Sequence, residues 1–434
     1  MIDAASAELT RRHAAAVAGE TAFPVVFASA SGSRVTDLSG KSYLDFITGY
    51  GVVSTGHSRP EILQAIAEQA RSGCFASPWL PTRQAVELAE ELLALGSKNL
   101  RCCARASGGA DAVETATRAH RAARGGKVLV VGRAYHGGTS QTLAQSDAVA
   151  FHLPRPSLPE SPRVPPAYCH CCGYGKSHPG CAFKCVQAID AAIAADPDIT
   201  AILLEPILGS GGVIVPPAEY FPALMQIVRR RKLILIVDEV MTGCGRIGAW
   251  TASQALGLEP DALIIAKGLG GGSVPIGTAM LTEELADGLR KYEDVSATLA
   301  WTPLACAATL ANVRLIQAES LPERAVAAGE SFLPRVRELF ERRLPRHTGE
   351  VRGMGLMIGV ELVKDRTSRE PHPSLLKRLA LLTLRRGLMI GTSWDWHTLI
   401  LMPPLNVTDD DLDEALRILD ESLQRMNRSQ GDAQ

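Results

Sequence analysis

The chain has 434 residues, with 45 Lys or Arg and 46 Asp or Glu, so its net charge is −1 at pH 7. A near-neutral chain gives no electrostatic reason to expect binding to nucleic acid or to a membrane surface. Hydrophobic residues make up 46% of the chain, and no apolar run is long enough for a membrane span. We therefore predict one large and one smaller globular domain.

The N-terminal segment, residues 1–60, is predicted to contribute to the smaller domain. Its first residues resemble a surface helix and lack the apolar core of a signal peptide, which favours a cytoplasmic protein. The stretch "FPVVFASASGSRVTDLSGKSYLDF" (23–46) alternates apolar and polar residues around a glycine turn, which is typical of paired strands.

Residues 61–310 are predicted to form the large domain. Amphipathic helices over 60–72 and 82–96 precede "RCCARASGGADAVETATRAHRAARGGKVLVV", a strand, a Ser-Gly-Gly turn, an Ala-rich helix and a second strand. The strands "AILLEP", "LILIVDEV" and "DALIIAKG" then alternate with helices at 219–231 and 251–256. This alternation of continuous apolar strands with helices predicts an α/β fold with a mainly parallel sheet.

Residues 311–434 are predicted to form a smaller α+β domain. Long helices rich in Arg and Glu precede the strand pair "EVRGMGLMIGVEL". A helix at 373–386 and a strand near 398–402 follow.

Two charged residues stand where buried strands end, and they carry the first functional hypothesis. Asp238 ends "LILIVDEV", and Lys267 follows "DALIIA" one strand later. Parallel strands would bring both to one sheet edge, where α/β proteins bind ligands. Such a pair suits pyridoxal phosphate, because the lysine forms a Schiff base and the carboxylate pairs with the pyridinium nitrogen. The structural alternatives are a carboxylate that caps a turn and a lysine that reaches solvent.

A cofactor of this kind also needs an anion site and a surface on which its ring can stack. Ser107, Gly108 and Gly109 form a tight turn into a helix N-terminus, where free N–H groups favour a phosphate. Tyr135, in "RAYHGG", offers an aromatic ring just after a strand. Each of these signals is weak when taken alone.

Taken in order, the motifs resemble the class III (ω-amino acid:pyruvate type) aminotransferases of PLP fold type I. The resemblance runs from about residue 25 to 420 through "SGGADAVE", "YHGG", "ILLEPILGSGGVIVPP", "LIVDEVMTGCGRIGAW", "PDALIIAKGLGGGSVPIG", "TLAWTPLACAA" and "VRGMGLMIGVELVKD". It implies a large PLP-binding domain with a mainly parallel sheet, a smaller α+β domain, and transfer of an amino group between a small-molecule donor and a carbonyl acceptor.

The resemblance also implies roles for single residues. Lys267 would be the Schiff-base lysine, and Asp238 would pair with the ring nitrogen. Thr298 matches a threonine that reaches the phosphate from a partner subunit, which implies a homodimer. The cofactor-binding residues so implied are Gly108, Gly109, Ala110, Tyr135, His136, Glu205, Asp238, Val240, Met241, Lys267 and Thr298. No metal is assigned to this site.

The substrate positions depart from the family pattern. Ser210 replaces the glutamate of the ornithine and GABA branches, which favours a pyruvate-linked enzyme. The two places where relatives carry a carboxylate-binding arginine correspond to Gly391 and a position near Ile400. A tryptophan of many amine transaminases corresponds to Gly51. We therefore expect a substrate whose distal part is not a simple carboxylate, such as an amine, an amino ketone or a bulky intermediate.

The segment "GTSWDWH" suggests what lines the altered pocket. Trp394, Trp396 and His397 could face the substrate, or they could pack the C-terminal domain, and the sequence does not separate the two. A related PLP reaction is the alternative function, namely that of a racemase or epimerase, an aminomutase or a decarboxylase.

Five of the ten cysteines lie in "YCHCCGYGKSHPGCAFKC", within a Pro- and Cys-rich stretch over 151–185 that we predict to be a long surface loop. The spacing contains a C-x2-C pair and a C-x3-C pair separated by eight residues, which would suit zinc. Reduced thiols in a packed loop and a disulfide are the alternatives.

Overall fold

The protein is represented by a computed structural model that describes residues 4–18, 25–147, 161–292 and 297–431. Two seven-stranded sheets form the framework of these residues. The strands are β1 (Phe27–Ser31), β2 (Arg34–Asp37), β3 (Ser42–Phe46), β4 (Cys102–Ala106), β5 (Lys127–Val131), β6 (Arg163–Val164), β7 (Ile199–Leu204), β8 (Ile234–Asp238), β9 (Ala262–Ile265), β10 (Gly277–Leu281), β11 (Thr348–Met354), β12 (Met357–Leu362), β13 (Leu388–Thr392) and β14 (Thr398–Leu401).

Helices cover the sheets and connect the strands. They are α1 (Ala4–Ala16), α2 (Thr48–Gly51), α3 (Pro60–Ser72), α4 (Arg83–Leu95), α5 (Gly109–Ala123), α6 (Ser140–Ala144), α7 (Lys184–Ala195), α8 (Tyr220–Arg231), α9 (Ala252–Leu256), α10 (Glu283–Arg290), α11 (Pro303–Ala318), α12 (Leu321–Arg343), α13 (Pro373–Arg385) and α14 (Asp409–Gly431). In the described ranges, none of them combines the length and apolar character that crossing a bilayer requires.

The mainly parallel sheet has the strand order β4-β10-β9-β8-β7-β5-β6. Neighbours from β9 to β6 are parallel, and β10 runs antiparallel to both β4 and β9. The prediction of an α/β fold with a mainly parallel sheet is therefore confirmed.

Both faces of this sheet are buried, which explains why its strands are continuous apolar runs. In β8, Ile234 and Ile236 pack into one cluster with residues of α5 and α10, whereas Leu235 and Val237 pack into the cluster on the opposite face. Side chains alternate across a strand, so a strand covered on both faces must be apolar at every position.

The other, mainly antiparallel sheet contains strands from both the N-terminal and the C-terminal parts of the chain. Its order is β1-β2-β3-β13-β14-β12-β11, and β3 pairs in parallel with β13. All other neighbours in this sheet are antiparallel. Strands from residues 1–60 therefore lie beside strands from the C-terminal segment.

The Cys-rich stretch differs from the predicted loop. Within 161–185, the two residues of β6 extend the mainly parallel sheet beside β5, and α7 begins at Lys184. Residues 165–183 contain neither helix nor strand, as predicted for a loop. The prediction missed β6, because an edge strand of two residues leaves no periodic signal in the sequence. Residues 148–160 lie outside the described residues.

Candidate active site

Parallel pairing brings the two charged strand ends together. Strands β8 and β9 are parallel, with Asp238 opposite Ile264, and Lys267 follows two residues after the end of β9. Their side chains therefore emerge at one carboxyl edge of the mainly parallel sheet. This is the edge at which ligands bind in open α/β sheets.

Lys267 is held in an unusual backbone and electrostatic environment. Its φ is +45°, in the left-handed region that costs a non-glycine residue about 1 kcal/mol or more. Burial lowers the pKa of its ammonium, and the carboxylates of Asp238 and Glu205 oppose that shift. Among the described residues, no hydrogen bond or ion pair engages its amine. A buried amine without such a partner suits covalent attachment to a carbonyl group.

The turn after Lys267 is fixed by residues that the sequence did not single out. Asn312 donates through Nδ2 to the carbonyl oxygens of Gly268 and Leu269, each at 2.9 Å, and Ser54 Oγ donates to the Gly268 oxygen at 2.8 Å. Gly271 has φ +58°, and a Cβ there would lie 2.5 Å from Asn312 Oδ1. Glycine is therefore required at 271 by both backbone conformation and space.

Asp238 is buried, and each of its two carboxylate oxygens has a hydrogen-bond partner. Its Oδ2 lies 2.8 Å from His136 Nδ1, and its Oδ1 accepts the Val240 N–H at 3.0 Å. His136 is itself fixed by its backbone N–H, which donates to Ser146 Oγ at 2.8 Å. Its Nε2 is buried and has no partner among the described residues. The imidazole thus orients the carboxylate and keeps one ring nitrogen available.

Glu205 provides a second buried carboxyl group at the same edge. It accepts the backbone N–H groups of Tyr135 and Gly209, both at 2.8 Å, and so fixes the loop that carries Tyr135. Burial raises the pKa of Glu205 to about 7, and the nearby charge of Asp238 acts in the same direction. The position next to Lys267 therefore holds a carboxyl group that titrates near neutral pH.

Adjacent acids serve different purposes at the end of β8. Glu239 turns away from the site and accepts the N–H groups of Ala252 and Ser253, the latter at 2.7 Å. Those are the first residues of α9, so Glu239 satisfies a helix N-terminus that would otherwise be unpaired. Glu239 therefore has the structural role of capping a turn, whereas Asp238 lies on the side of Lys267.

The N-terminus of α5 approaches the same edge. The first intrahelical bond runs from the Ala112 N–H to the Gly108 oxygen, so the N–H groups of the first turn lack helical partners. A Cβ on Gly109 would lie 3.1 Å from Val240 Cγ2, so the start of α5 packs closely against Val240, just after the end of β8. Likewise, a Cβ on Gly137 would lie 2.5 Å from the Cβ of Ala110. The start of α5, the loop that carries Tyr135 and the end of β8 therefore lie together.

A cavity of about 390 Å³ opens above Lys267. Aromatic and small polar side chains form its wall, together with one glycine. Its lining residues are Gly49, Tyr50, Tyr135, Ser210, Lys267, Thr392, Ser393, Trp394 and Trp396. Met241 lies behind this wall, buried, with its sulfur 3.7 Å from Ser210 Oγ.

The structure separates the residues of "GTSWDWH". Trp394 and Trp396 line the cavity, whereas His397 is buried with its Nε2 atom 3.1 Å from Glu361 Oε1. The expectation of a pocket position fits the two tryptophans, and the packing alternative applies to His397. Sequence alone could not separate them, because consecutive residues of a turn point in different directions.

The two positions where relatives carry a carboxylate-binding arginine face one another. Gly391 of β13 pairs with Ile400 of β14. A Cβ on Gly391 would lie 3.3 Å from the Ile400 Cβ and 3.4 Å from Tyr50 Cε1, so apolar groups already crowd this place. Gly51 has φ +87°, and a Cβ there would approach Met402 Cε to 3.0 Å. Neither the pair Gly391 and Ile400 nor the position of Gly51 offers a cation to a substrate carboxylate.

Thr298 is not among the residues that line the cavity above Lys267. It is exposed and is the second residue after the undescribed residues 293–296. The nearby Trp301 anchors its segment by donating through Nε1 to the Gly277 oxygen at 2.8 Å. The implied role of Thr298 involves a second subunit, so a single chain does not test it.

A family model described as "Aminotransferase class-III" matches residues 15–423. The acetylornithine aminotransferase of Methanocaldococcus jannaschii is 33% identical over 92% of this chain and 93% of its own length. The leucine/methionine racemase of Thermococcus litoralis is 31% identical over 92% of this chain and 90% of its own length. A solved amine transaminase from an uncultivated Pseudomonas species, in a PLP-bound form, has a TM-score of 0.87 at 30% identity, and the match covers 94% of this chain and 98% of that one.

Proposed function

Because the chain belongs to the class-III aminotransferase family, and is therefore a pyridoxal phosphate-dependent aminotransferase, we propose that its amino donor is a bulky, largely apolar amine. The observation that carries this proposal is the composition of the cavity above Lys267. Aromatic rings dominate its wall, and Lys267 is the one cation among its described lining residues.

We assign the residues at the sheet edge as follows. Lys267 attaches the cofactor and moves the proton to and from the carbon that bears the substrate nitrogen. Asp238, oriented by His136, pairs with the cofactor's ring nitrogen. When bound, pyridoxal phosphate supplies the electron sink that stabilises charge on that carbon. Val240 and Tyr135 would cover the two faces of the bound ring, and the Met241 side chain, whose sulfur lies beside Ser210 Oγ, would offer no hydrogen bond to the ring hydroxyl.

The phosphate of the cofactor is assigned to the N-terminus of α5. The unpartnered N–H groups of Gly109 and Ala110 and the positive end of the helix dipole favour an anion there. Gly108 leaves the approach open, since a Cβ at that residue would meet nothing within 4 Å. Glu205 acts through Tyr135, whose backbone it holds.

The walls of the cavity argue for the substrate class. An arginine fork is the usual means of binding a carboxylate in two hydrogen bonds. Gly391 and Ile400, which occupy the two places where relatives carry this arginine, provide no guanidinium group. Arg133, the arginine nearby, is already paired with Asp395 at 2.6 Å. Trp394 and Trp396 instead offer large apolar surfaces, which suit an aryl or extended alkyl group. Pyruvate is the proposed acceptor, since Ser210 replaces the glutamate of the ornithine and GABA branches.

A homodimer is the proposed assembly. Two segments, 75–80 and the described part of 292–299 (Tyr292 and 297–299), expose large apolar side chains, and Trp79 and Tyr292 line one surface groove. Trp79 is 78% exposed and Leu299 is 67% exposed in a single chain, which is unusual for groups of this size outside an interface. Thr298 belongs to the second of these segments, so a partner placed here would receive it. All ten cysteines are free thiols, which supports a cytoplasmic location.

A donor panel tests the substrate assignment. The enzyme with its cofactor is mixed with arylalkyl amines, amino ketones, ornithine, acetylornithine or glutamate, and the carbonyl product of the first half-reaction is measured. Bulky apolar amines should give the highest kcat/KM, with pyruvate completing the turnover. A clear preference for glutamate or acetylornithine would refute the proposal. Exchange of the α-proton without a carbonyl product would instead indicate a racemase, the activity named for one relative.

A further inference from the structure

Four cysteines far from the lysine site surround one small cavity. Cys169, Cys172, Cys181 and Cys185, here called the cysteine nest, all line a space of about 20 Å³ between β6 and α7. That volume is enough for one water-sized species or one metal ion. The fifth cysteine of the stretch, Cys171, does not line the cavity, and its sulfur lies 4.0 Å from Glu361 Oε1.

The thiols of the nest are free in the structure. Lys176 and Lys184 also line the cavity, and their charges would balance the excess negative charge of four thiolates around a divalent ion.

We propose that Cys169, Cys172, Cys181 and Cys185 bind one zinc ion in a tetrahedral structural site. Four thiolates form the ligand set of closed zinc sites, and the C-x2-C pair has the spacing found in them. Binding forms four zinc–sulfur bonds and releases the protons of the four thiols to solvent. No position is left open for substrate or water, so the site serves structure and not catalysis.

A second group of potential ligands is more compact but less suitable. Among the described residues, the ligand atoms of His170, Cys171 and Glu361 all lie within 4.8 Å of one another, which those of the nest do not. Glu361, however, already accepts from Arg352 Nη1 at 2.5 Å and lies 3.1 Å from His397 Nε2. A metal ion there would face the Arg352 guanidinium, which is already present as a cation. The nest offers four soft ligands without such competition, and its sulfurs must close around the ion on binding.

The site would connect the loop to the wall of the cavity above Lys267. Tyr168 directly precedes Cys169, and its ring centroid lies 5.7 Å from the Arg133 guanidinium carbon. Arg133 in turn pairs with Asp395 and lies 5.4 Å from the Trp394 ring. Zinc in the nest would therefore fix the backbone from which Tyr168 supports the wall that contains Trp394.

Metal analysis of the purified enzyme tests the proposal. Wild-type protein produced with zinc in the medium should contain one zinc ion per chain. The single variants Cys172→Ser and Cys185→Ser should lose it, because each removes one ligand. Cys171→Ser is the matched control, since it lies in the same loop but outside the nest, and it should keep the zinc. Wild-type protein without zinc, or equal zinc loss in Cys171→Ser, would overturn the assignment.

A second measurement covers the case in which the serine variants fail to fold. Wild-type enzyme produced with Co²⁺ in place of zinc should show thiolate-to-cobalt charge-transfer bands and the strong visible bands of a tetrahedral site. Their absence from cobalt-loaded protein would overturn the proposal. So would stoichiometric iron, or disulfides within the nest found by mass spectrometry of protein kept under non-reducing conditions. None of these results depends on which amine the enzyme accepts.

Discussion

His136 Nδ1 lies 2.8 Å from Asp238 Oδ2, and both side chains are buried. The two residues are 102 positions apart, and the bond joins the loop after β5 to the end of β8. A carboxylate held in this way keeps one orientation toward Lys267.

Replacement of Lys267 by alanine should lower kcat by about 10²- to 10⁴-fold or more, because the group that transfers the proton is lost. Borohydride treatment of the wild-type enzyme should attach a pyridoxyl group to the peptide that contains Lys267, as measured by mass spectrometry. The exposed Lys98 provides the control, and Lys98→Ala should keep both activity and labelling. A label on another lysine would contradict the assignment.

The adjacent acids at the end of β8 should separate catalysis from stability. Asp238→Asn keeps the shape but removes the charge, so kcat should fall by about 10²-fold or more while thermal stability changes little. Glu239→Gln should keep kcat within a few-fold. It should lower the free energy of unfolding by about 1 kcal/mol or more, because the cap of α9 is weakened. Each kcal/mol corresponds to a decrease of about 2–4 °C in Tm. Reversal of this pattern in paired activity and unfolding measurements would contradict the two roles.

The stability of the cofactor-free protein should depend on pH through Glu205. Its pKa is about 7 in the folded chain and 4.5 when unperturbed. Between these values the folded state binds a proton that the unfolded state has lost, so this group makes stability fall as pH rises. Glu205→Gln should therefore reduce that decrease when urea unfolding is compared at about pH 5 and about pH 8. An unchanged difference between the two pH values would show that the carboxyl titrates elsewhere.

Truncation of the tryptophans in the cavity wall should discriminate between donors by size. Trp394→Ala should lower kcat/KM for a bulky aryl amine by about tenfold, the effect of losing one well-packed aromatic contact of about 1.4 kcal/mol. A small alkyl amine that does not reach the wall should be affected much less, and it serves as the internal control. Steady-state kinetics with both donors make the comparison. Equal losses for the two donors would indicate a general structural defect.

A charge on the exposed apolar segments should disrupt the proposed dimer. Trp79→Glu and Leu299→Glu each place a carboxylate where a partner would bury it, which costs several kcal/mol when unpaired. Light scattering after size exclusion should show monomers, together with loss of activity, since Thr298 would no longer reach a neighbouring site. Leu381→Glu, at an exposed position on α13, is the matched control and should remain dimeric. A monomeric wild-type enzyme with full activity would contradict the assembly.

The sequence alone determined the features that depend on local pattern. Continuous apolar strands alternating with helices predicted the parallel sheet, because a strand covered on both faces must be apolar throughout. The same pattern placed Asp238 and Lys267 at neighbouring strand ends, and the glycines at 108 and 109 marked the start of α5. Each of these signals lies within a short stretch of chain.

Only the tertiary structure decided which distant side chains meet. The pairing of Asp238 with His136, the support of the Gly268 carbonyl by Asn312 and the facing positions of Gly391 and Ile400 all join segments that the sequence leaves unrelated. The same is true of His397, which turns to Glu361 while Trp394 lines the cavity, and of the four cysteines around one space. Periodicity predicts which face of an element is buried, but contacts between elements depend on how the packed elements are arranged in space.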